Sequence, residues 1–153
     1  MKDYRAYLDH FYLCTNKIDG LYYLAARRLG VNENTLALFY ALDDGQLRSQ
    51  KQLSEELLIP KTTVNTVVRE CIQAGYLQLL PSGHGKERAV ALTQRGRDYA
   101  RGLLRPIHEA EEEAMARTLE QFSPDFLLAV ETLTQQLCQS FRRSILTSDR
   151  KEP

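Results

Sequence analysis

Four side chains able to exchange hydrogen bonds with the edge of a nucleic-acid base, Thr62, Asn65, Thr66 and Arg69, recur at spacings of three and four. On a helix such residues share one face, about a turn apart. Threonine and asparagine offer donors and acceptors, and arginine a planar fork of donors, which is the chemistry that reads the major groove of duplex DNA. Lys61 and Thr63 stand at the same helix start. A second cationic group, Lys86 and Arg88, follows the glycines of Pro81-Ser82-Gly83-His84-Gly85. A lysine or arginine on a flexible loop can follow phosphates or a narrow minor groove.

Other chemistries find less footing. The chain has no glycine-rich loop ahead of a helix, no Gly-x-Ser-x-Gly elbow and no His-Glu-x-x-His pair. Ser82 to Lys86 has glycines and a lysine but lies between strand-like runs, so it is no nucleotide cradle. Neither an enzyme nor a cofactor is expected. His10 and Cys14 are one helical turn apart, as are His108 and Glu112, but each pair supplies two ligands where a closed zinc site takes about four. They read as surface histidines, and no metal is expected. Cys14, Cys71 and Cys138 are far apart, odd in number and without a Cys-x-x-Cys pair, which suggests a reducing cytoplasm rather than a disulfide framework.

The elements that must position these residues follow from periodicity. Leu8, Phe11, Tyr12, Ile18, Leu21, Tyr22, Leu24 and Ala25 predict a long helix from about Tyr4 to Arg28, ended by Gly30. Asn32 or Asn34 can cap a second helix carrying Leu36, Leu38, Phe39 and Leu42. A short helix between Ser49 and Leu58 is followed by Pro60, suited to a first helical turn, and by a helix over Lys61 to Ala74. That helix turns Val64, Val67, Val68, Cys71 and Ile72 inward. Period-two runs at 76–80 and 88–92 predict a two-stranded hairpin. Thr93 can cap a helix running past Pro106 towards Leu119. Ser123-Pro124-Asp125 reads as a cap, a first-turn proline and an early acid opening a last helix through Leu127, Val130, Leu133, Leu137 and Phe141. The whole is a mostly α (α+β) fold, a winged helix-turn-helix between long terminal helices.

Charge is segregated in a chain that is neutral overall, with 20 Lys plus Arg against 20 Asp plus Glu. Bulk attraction to polyanions is excluded, so any nucleic-acid contact must be a local patch. From Lys61 to Arg101, seven basic residues stand against three acidic ones, a balance of +4. From Glu109 to Asp125, six acids face Arg117 alone, a balance of −5. No run approaches the roughly 18 apolar residues of a membrane span, and the N-terminus has no apolar signal core. No membrane association is expected.

In order and spacing, Gln52-Leu53-Ser54-Glu55-Glu56-Leu57, Lys61-Thr62-Thr63-Val64, Gly75-Tyr76-Leu77 and Leu92-Thr93-Gln94-Arg95-Gly96 resemble the successive signatures of the multiple-antibiotic-resistance regulator (MarR) family. Two departures stand out. The turn commonly has glycine where this chain has Leu58, and the wing commonly reads Asp-x-Arg where it has His84-Gly85-Lys86. The resemblance implies a dimerisation helix over residues 1–31, a DNA-binding domain over 32–100, dimerisation helices over 101–147 and a polar tail over 148–153. It further implies a homodimer on double-stranded DNA, acting as a repressor released from a palindromic operator by a small effector. The DNA-binding residues would be Lys61, Thr62, Thr63, Asn65, Thr66, Arg69, Lys86 and Arg88.

Six of the 13 aromatics, Tyr4, Tyr7, Phe11, Tyr12, Tyr22 and Tyr23, fall in the first 23 residues. Aromatic stripes at helical spacing are chiefly packing, here of a dimer core. Members of the family also bind small aromatic molecules where dimer helices meet the DNA-binding lobe, and Tyr7, Phe11, Cys14 and Tyr40 could line such a cleft. Two alternatives remain at the level of sequence: a winged-helix protein-interaction module without DNA binding, and a redox-sensing repressor using Cys14.

Overall fold

A computed structural model describes residues 3–82 and 87–146. The expected mostly α winged helix is what the chain forms. In chain order the elements are α1 (Tyr4–Arg28), α2 (Glu33–Leu42), β1 (Arg48–Ser49), α3 (Gln50–Leu57), α4 (Lys61–Gln73), β2 (Leu77–Pro81), β3 (Arg88–Leu92), α5 (Gln94–Leu119) and α6 (Phe126–Phe141). A π-helical turn, Arg142–Leu146, continues α6. The chain forms two compact units that divide after His108.

Local chemistry sets most helix ends of the first unit. Asn32 accepts from the Thr35 N–H at 2.8 Å and so starts α2. Ser49 and Gln52 form a reciprocal capping box at α3, each side chain bonding the other's backbone N–H. At the ends of α1 and α4 the glycines Gly30 (φ 78°) and Gly75 (φ 79°) take the left-handed conformation. Their neighbours close paired bonds onto the last turn: Val31 to Ala26 and Gly30 to Arg27, Tyr76 to Cys71 and Gly75 to Ile72. The Thr93 hydroxyl accepts from the Gly96 N–H at 2.9 Å and donates to the Gly75 carbonyl at 2.7 Å, tying the start of α5 to the end of α4.

The sheet differs from the expected two-stranded wing. It has three antiparallel strands in the order β1-β3-β2, because Arg48 and Ser49 pair with Val90 and Ala89. Two residues are too few to show a period of two, so this strand exists only through its partner. The wing hairpin pairs Leu77 with Leu92 through to Pro81 with Arg88.

The core of this unit joins Leu36, Leu38, Phe39 and Leu42 of α2 to Leu53, to Val64, Val67, Val68 and Cys71 of α4, to Leu77 and Val90, and to Leu103, Leu104 and Ile107 of α5. Ala26 of α1 is buried with them, and Tyr22, Ala25 and Leu29 pack against it. Burying these side chains, at about 25 cal/mol per Å² of apolar surface, is what holds α4 in place.

In the second unit, α6 does not start where the cap signature suggests. The Ser123 hydroxyl accepts from the Asp125 N–H and its carbonyl from the Phe126 N–H, each at 3.2 Å, so Ser123-Pro124-Asp125 forms a turn ahead of a helix that begins at Phe126. The serine is spent on an i→i+2 bond, which closes a turn rather than caps a helix. No residue of α6 is buried within the chain.

Candidate nucleic-acid interface

α4 presents two chemically opposite faces. Val64, Val67, Val68 and Cys71 are buried, whereas Lys61, Thr62, Asn65, Thr66, Arg69 and Gln73 are exposed and Thr63 is half-buried. The outward face is thus the one the spacing predicts. Thr66 spends its hydroxyl proton within the helix, donating to the Thr62 carbonyl at 3.0 Å. Asn65 and Arg69 have no hydrogen-bond or ion-pair partner among the described residues.

The neighbouring arginines are engaged. Arg48 bonds Asp44 at 2.6 Å, Glu56 at 2.7 Å and the Ala41 carbonyl at 2.8 Å, bracing the end of α2 against α3. That network holds the Asp44 carboxyl down at about 2, chiefly through the Arg48 bond and then the Gln46 N–H, and raises the Arg48 guanidinium further. Arg88 donates to the Leu79 carbonyl at 2.9 Å, across the wing strands. Arg97 caps the strand end through the Leu92 carbonyl at 3.0 Å and also bonds Gln94. Arg95 lies 5.2 Å over the Tyr76 ring, which stacks on Tyr99 at 4.2 Å. Arg101 pairs with Asp98 at 3.6 Å. Arg48 and the Arg95–Tyr76–Tyr99 stack were not anticipated, since partners remote in sequence leave no periodic signal. Lys86, expected at the wing tip, lies outside the described residues.

The turn between α3 and α4 carries a backbone outlier. Leu58 adopts φ 52° and ψ 34°, left-handed, with 83% of its surface exposed. The position calls for the residue without a Cβ, yet this chain has leucine there.

The four residues expected to line an effector cleft are not gathered within one chain. Tyr7 and Cys14 are exposed on α1 and Phe11 is half-buried. Tyr40 stands against the other half of that helix, edge-on to Tyr22 at 6.3 Å and to His108 at 5.6 Å. Phe11 and Tyr22 are about 16 Å apart along the helix at 1.5 Å per residue. His108 also approaches Asp43, Nε2 to Oδ2 at 4.0 Å. Among the described residues no group of three His, Cys, Asp or Glu side chains is arranged to hold a metal ion, and no helix is long and apolar enough to cross a membrane.

Comparison with known proteins agrees with this geometry. Residues 29–86, which begin just after α1 and stop short of β3, match the model of the MarR family. The fold is similar to that of NMB1585, a MarR family regulator from Neisseria meningitidis: 20% identity, TM-score 0.72, covering 93% of this chain and 98% of that one. It is similar to the MarR family transcriptional regulator SPO1453 from Silicibacter pomeroyi DSS-3, at 15% identity and TM-score 0.69, covering 85% and 93%. It also resembles NadR, solved in complex with 4-hydroxyphenylacetate, at 15% identity and TM-score 0.66, covering 84% and 89%. No curated protein was found to match the sequence.

Proposed function

We propose that the chain is a winged-helix regulator of the MarR family: a homodimeric, sequence-specific DNA-binding repressor released from its operator by a small aromatic effector. The observation that carries the reading is the outward face of α4, where Asn65 and Arg69 stand exposed and unpartnered opposite buried Val64, Val68 and Cys71. A helix with such a face fits the major groove, with Lys61, Thr62, Thr63 and Thr66 beside it and Lys86 and Arg88 meeting phosphates from the wing.

Dimerisation is supported by apolar surface left open on the terminal helices. Tyr4, Tyr7, Tyr12, Leu13 and Leu21 of α1 are more than half exposed, as are Leu128 and Phe141 of α6. Soluble chains cover such surface, and a two-fold partner is the commonest cover. A two-fold dimer would set two α4 helices on half-sites about one helical turn, roughly 34 Å, apart.

A ligand that prefers one separation of the half-sites lowers DNA affinity by the same coupling factor, and a tenfold loss takes about 1.4 kcal/mol of differential binding. The complex of NadR with a phenolic acid supports this effector class. Phe11 and Tyr7, with Cys14 beside them and Tyr40 on the lobe, are the residues assigned to it. Electrophoretic mobility shift on the protein's own upstream region, with and without phenolic acids, tests the reading. A retarded band that resists scrambled competitor and fades with the ligand is expected; the absence of any specific band overturns it.

A further inference from the structure

Within the winged-helix lobe the arginines fall into two classes. Arg48, Arg88, Arg95, Arg97 and Arg101 are each held by a carboxylate, a carbonyl or an aromatic ring of the protein itself. Arg69 alone among the described arginines of residues 32–101 keeps its fork free and exposed. On the same face, Asn65 keeps both its amide donor and its acceptor free, while Thr66 has committed its hydroxyl proton to the Thr62 carbonyl.

The three side chains therefore arrive at a base edge with different capabilities. A free guanidinium pairs bidentately with the O6 and N7 of guanine. A free carboxamide pairs bidentately with the N6 and N7 of adenine. A threonine without a hydroxyl proton to give can only accept, or present its methyl group. Residues 65 and 69 are one helical turn apart, about 6 Å of axial rise. Side chains that close reach neighbouring positions of the same half-site.

Resting on the DNA-binding reading above, we propose that each half-site of the operator carries an A·T pair read by Asn65 and, close to it, a G·C pair read by Arg69, and that Thr66 does not specify a base by donating a hydrogen bond. The engaged arginines contribute to phosphate attraction and lobe stability and carry no sequence information.

Selection of bound duplexes from a random pool with the full-length protein tests the assignment. The native protein is expected to enrich an inverted repeat with an adenine and a guanine close together in each half. Asn65→Ala is expected to flatten the preference at the A·T position, and Arg69→Ala that at the G·C position, each by about tenfold or more, leaving the other position intact. Arg69→Lys, which keeps the charge but not the fork, should retain affinity better than it retains the guanine preference. Thr66→Val should leave the guanine preference unchanged, since guanine offers only acceptors at its major-groove edge and the native hydroxyl has no proton left to donate there. Neither Asn65 nor Arg69 has a partner within the described fold, so the variants should stay folded. If the native protein enriches a motif but the variants lose affinity evenly at every position, the base assignment is overturned while DNA binding stands. If the native protein enriches nothing, both fall together.

Discussion

A Cβ at Gly96 would overlap the backbone carbonyl oxygen of Tyr76. The first turn of α5 lies directly against the chain leaving α4, and residue 96 must be glycine for the Thr93 cap and the Tyr76–Tyr99 stack to form together. The close approach is backbone to side-chain position, with no flexible group to yield. Gly96→Ala is therefore expected to destabilise the fold by about 1–3 kcal/mol despite alanine's better helix propensity. Urea unfolding followed by circular dichroism measures it, and a variant at or above native stability contradicts the packing.

Leu58 predicts the opposite sign. A left-handed leucine costs about 1–2 kcal/mol, and its exposed side chain returns little packing. Leu58→Gly relieves that strain but adds chain entropy to the unfolded state, so a net gain of about 0.5–1 kcal/mol is expected in the same urea assay. A loss would mean that the leucine side chain makes a stabilising contact.

Asp44 and Arg48 set a pH dependence. The folded carboxyl titrates at about 2, below its ordinary 3.8. A lowered pKa in the folded state means stability fully present above the ordinary value and lost as pH falls through it towards about 2. Carboxyl NMR titration should find Asp44 near that low value in the native chain. In Arg48→Gln it should move back up towards the usual carboxylate range, with a shallower loss of stability in acid. An unmoved Asp44 in the variant would assign the shift to another group.

Burial pushes the Cys71 thiol up to about 11, with the Glu70 charge adding to it. The thiolate is the reactive form, so at pH 8 Cys71 should resist iodoacetamide in the folded protein and react once urea unfolds it. Peptide mass mapping reads this directly. Rapid native labelling of Cys71 would show that the core opens. Any oxidant response should then depend on exposed Cys14 or Cys138, and Cys71→Ser should leave it intact.

If the apolar faces of α1 and α6 are a dimer interface, charges there should act on assembly rather than on the single chain. Leu127 and Val130, both exposed within one chain, are three residues apart on α6. Leu127→Glu with Val130→Glu places ions in an apolar interface and is expected to weaken association by several kcal/mol. Sedimentation at micromolar concentration should show a native dimer and a variant monomer. A native monomer would remove the paired half-sites.

What the sequence determined by itself is what rests on neighbours within a turn. Asn32, Ser49 with Gln52, Gly30, Gly75 and Thr93 mark helix ends through bonds to residues a few positions away, and Val64, Val68 and Cys71 divide α4 into faces by spacing alone. The Ser123 cap signature fails for the same local reason, because the hydroxyl accepts from the N–H two residues on. Tertiary structure decided what needs a distant partner. Two residues became β1 only because Val90 and Ala89 lay opposite them, and Tyr40 turned out to pack on Tyr22 and His108. It also decided which arginines are available. In sequence Arg69, Arg88, Arg95 and Arg97 carry the same charge, but three of them find carbonyls or a ring across the fold. Arg69 projects from a helix face with nothing opposite it among the described residues, and so of these four its guanidinium alone stays free for a partner outside the protein.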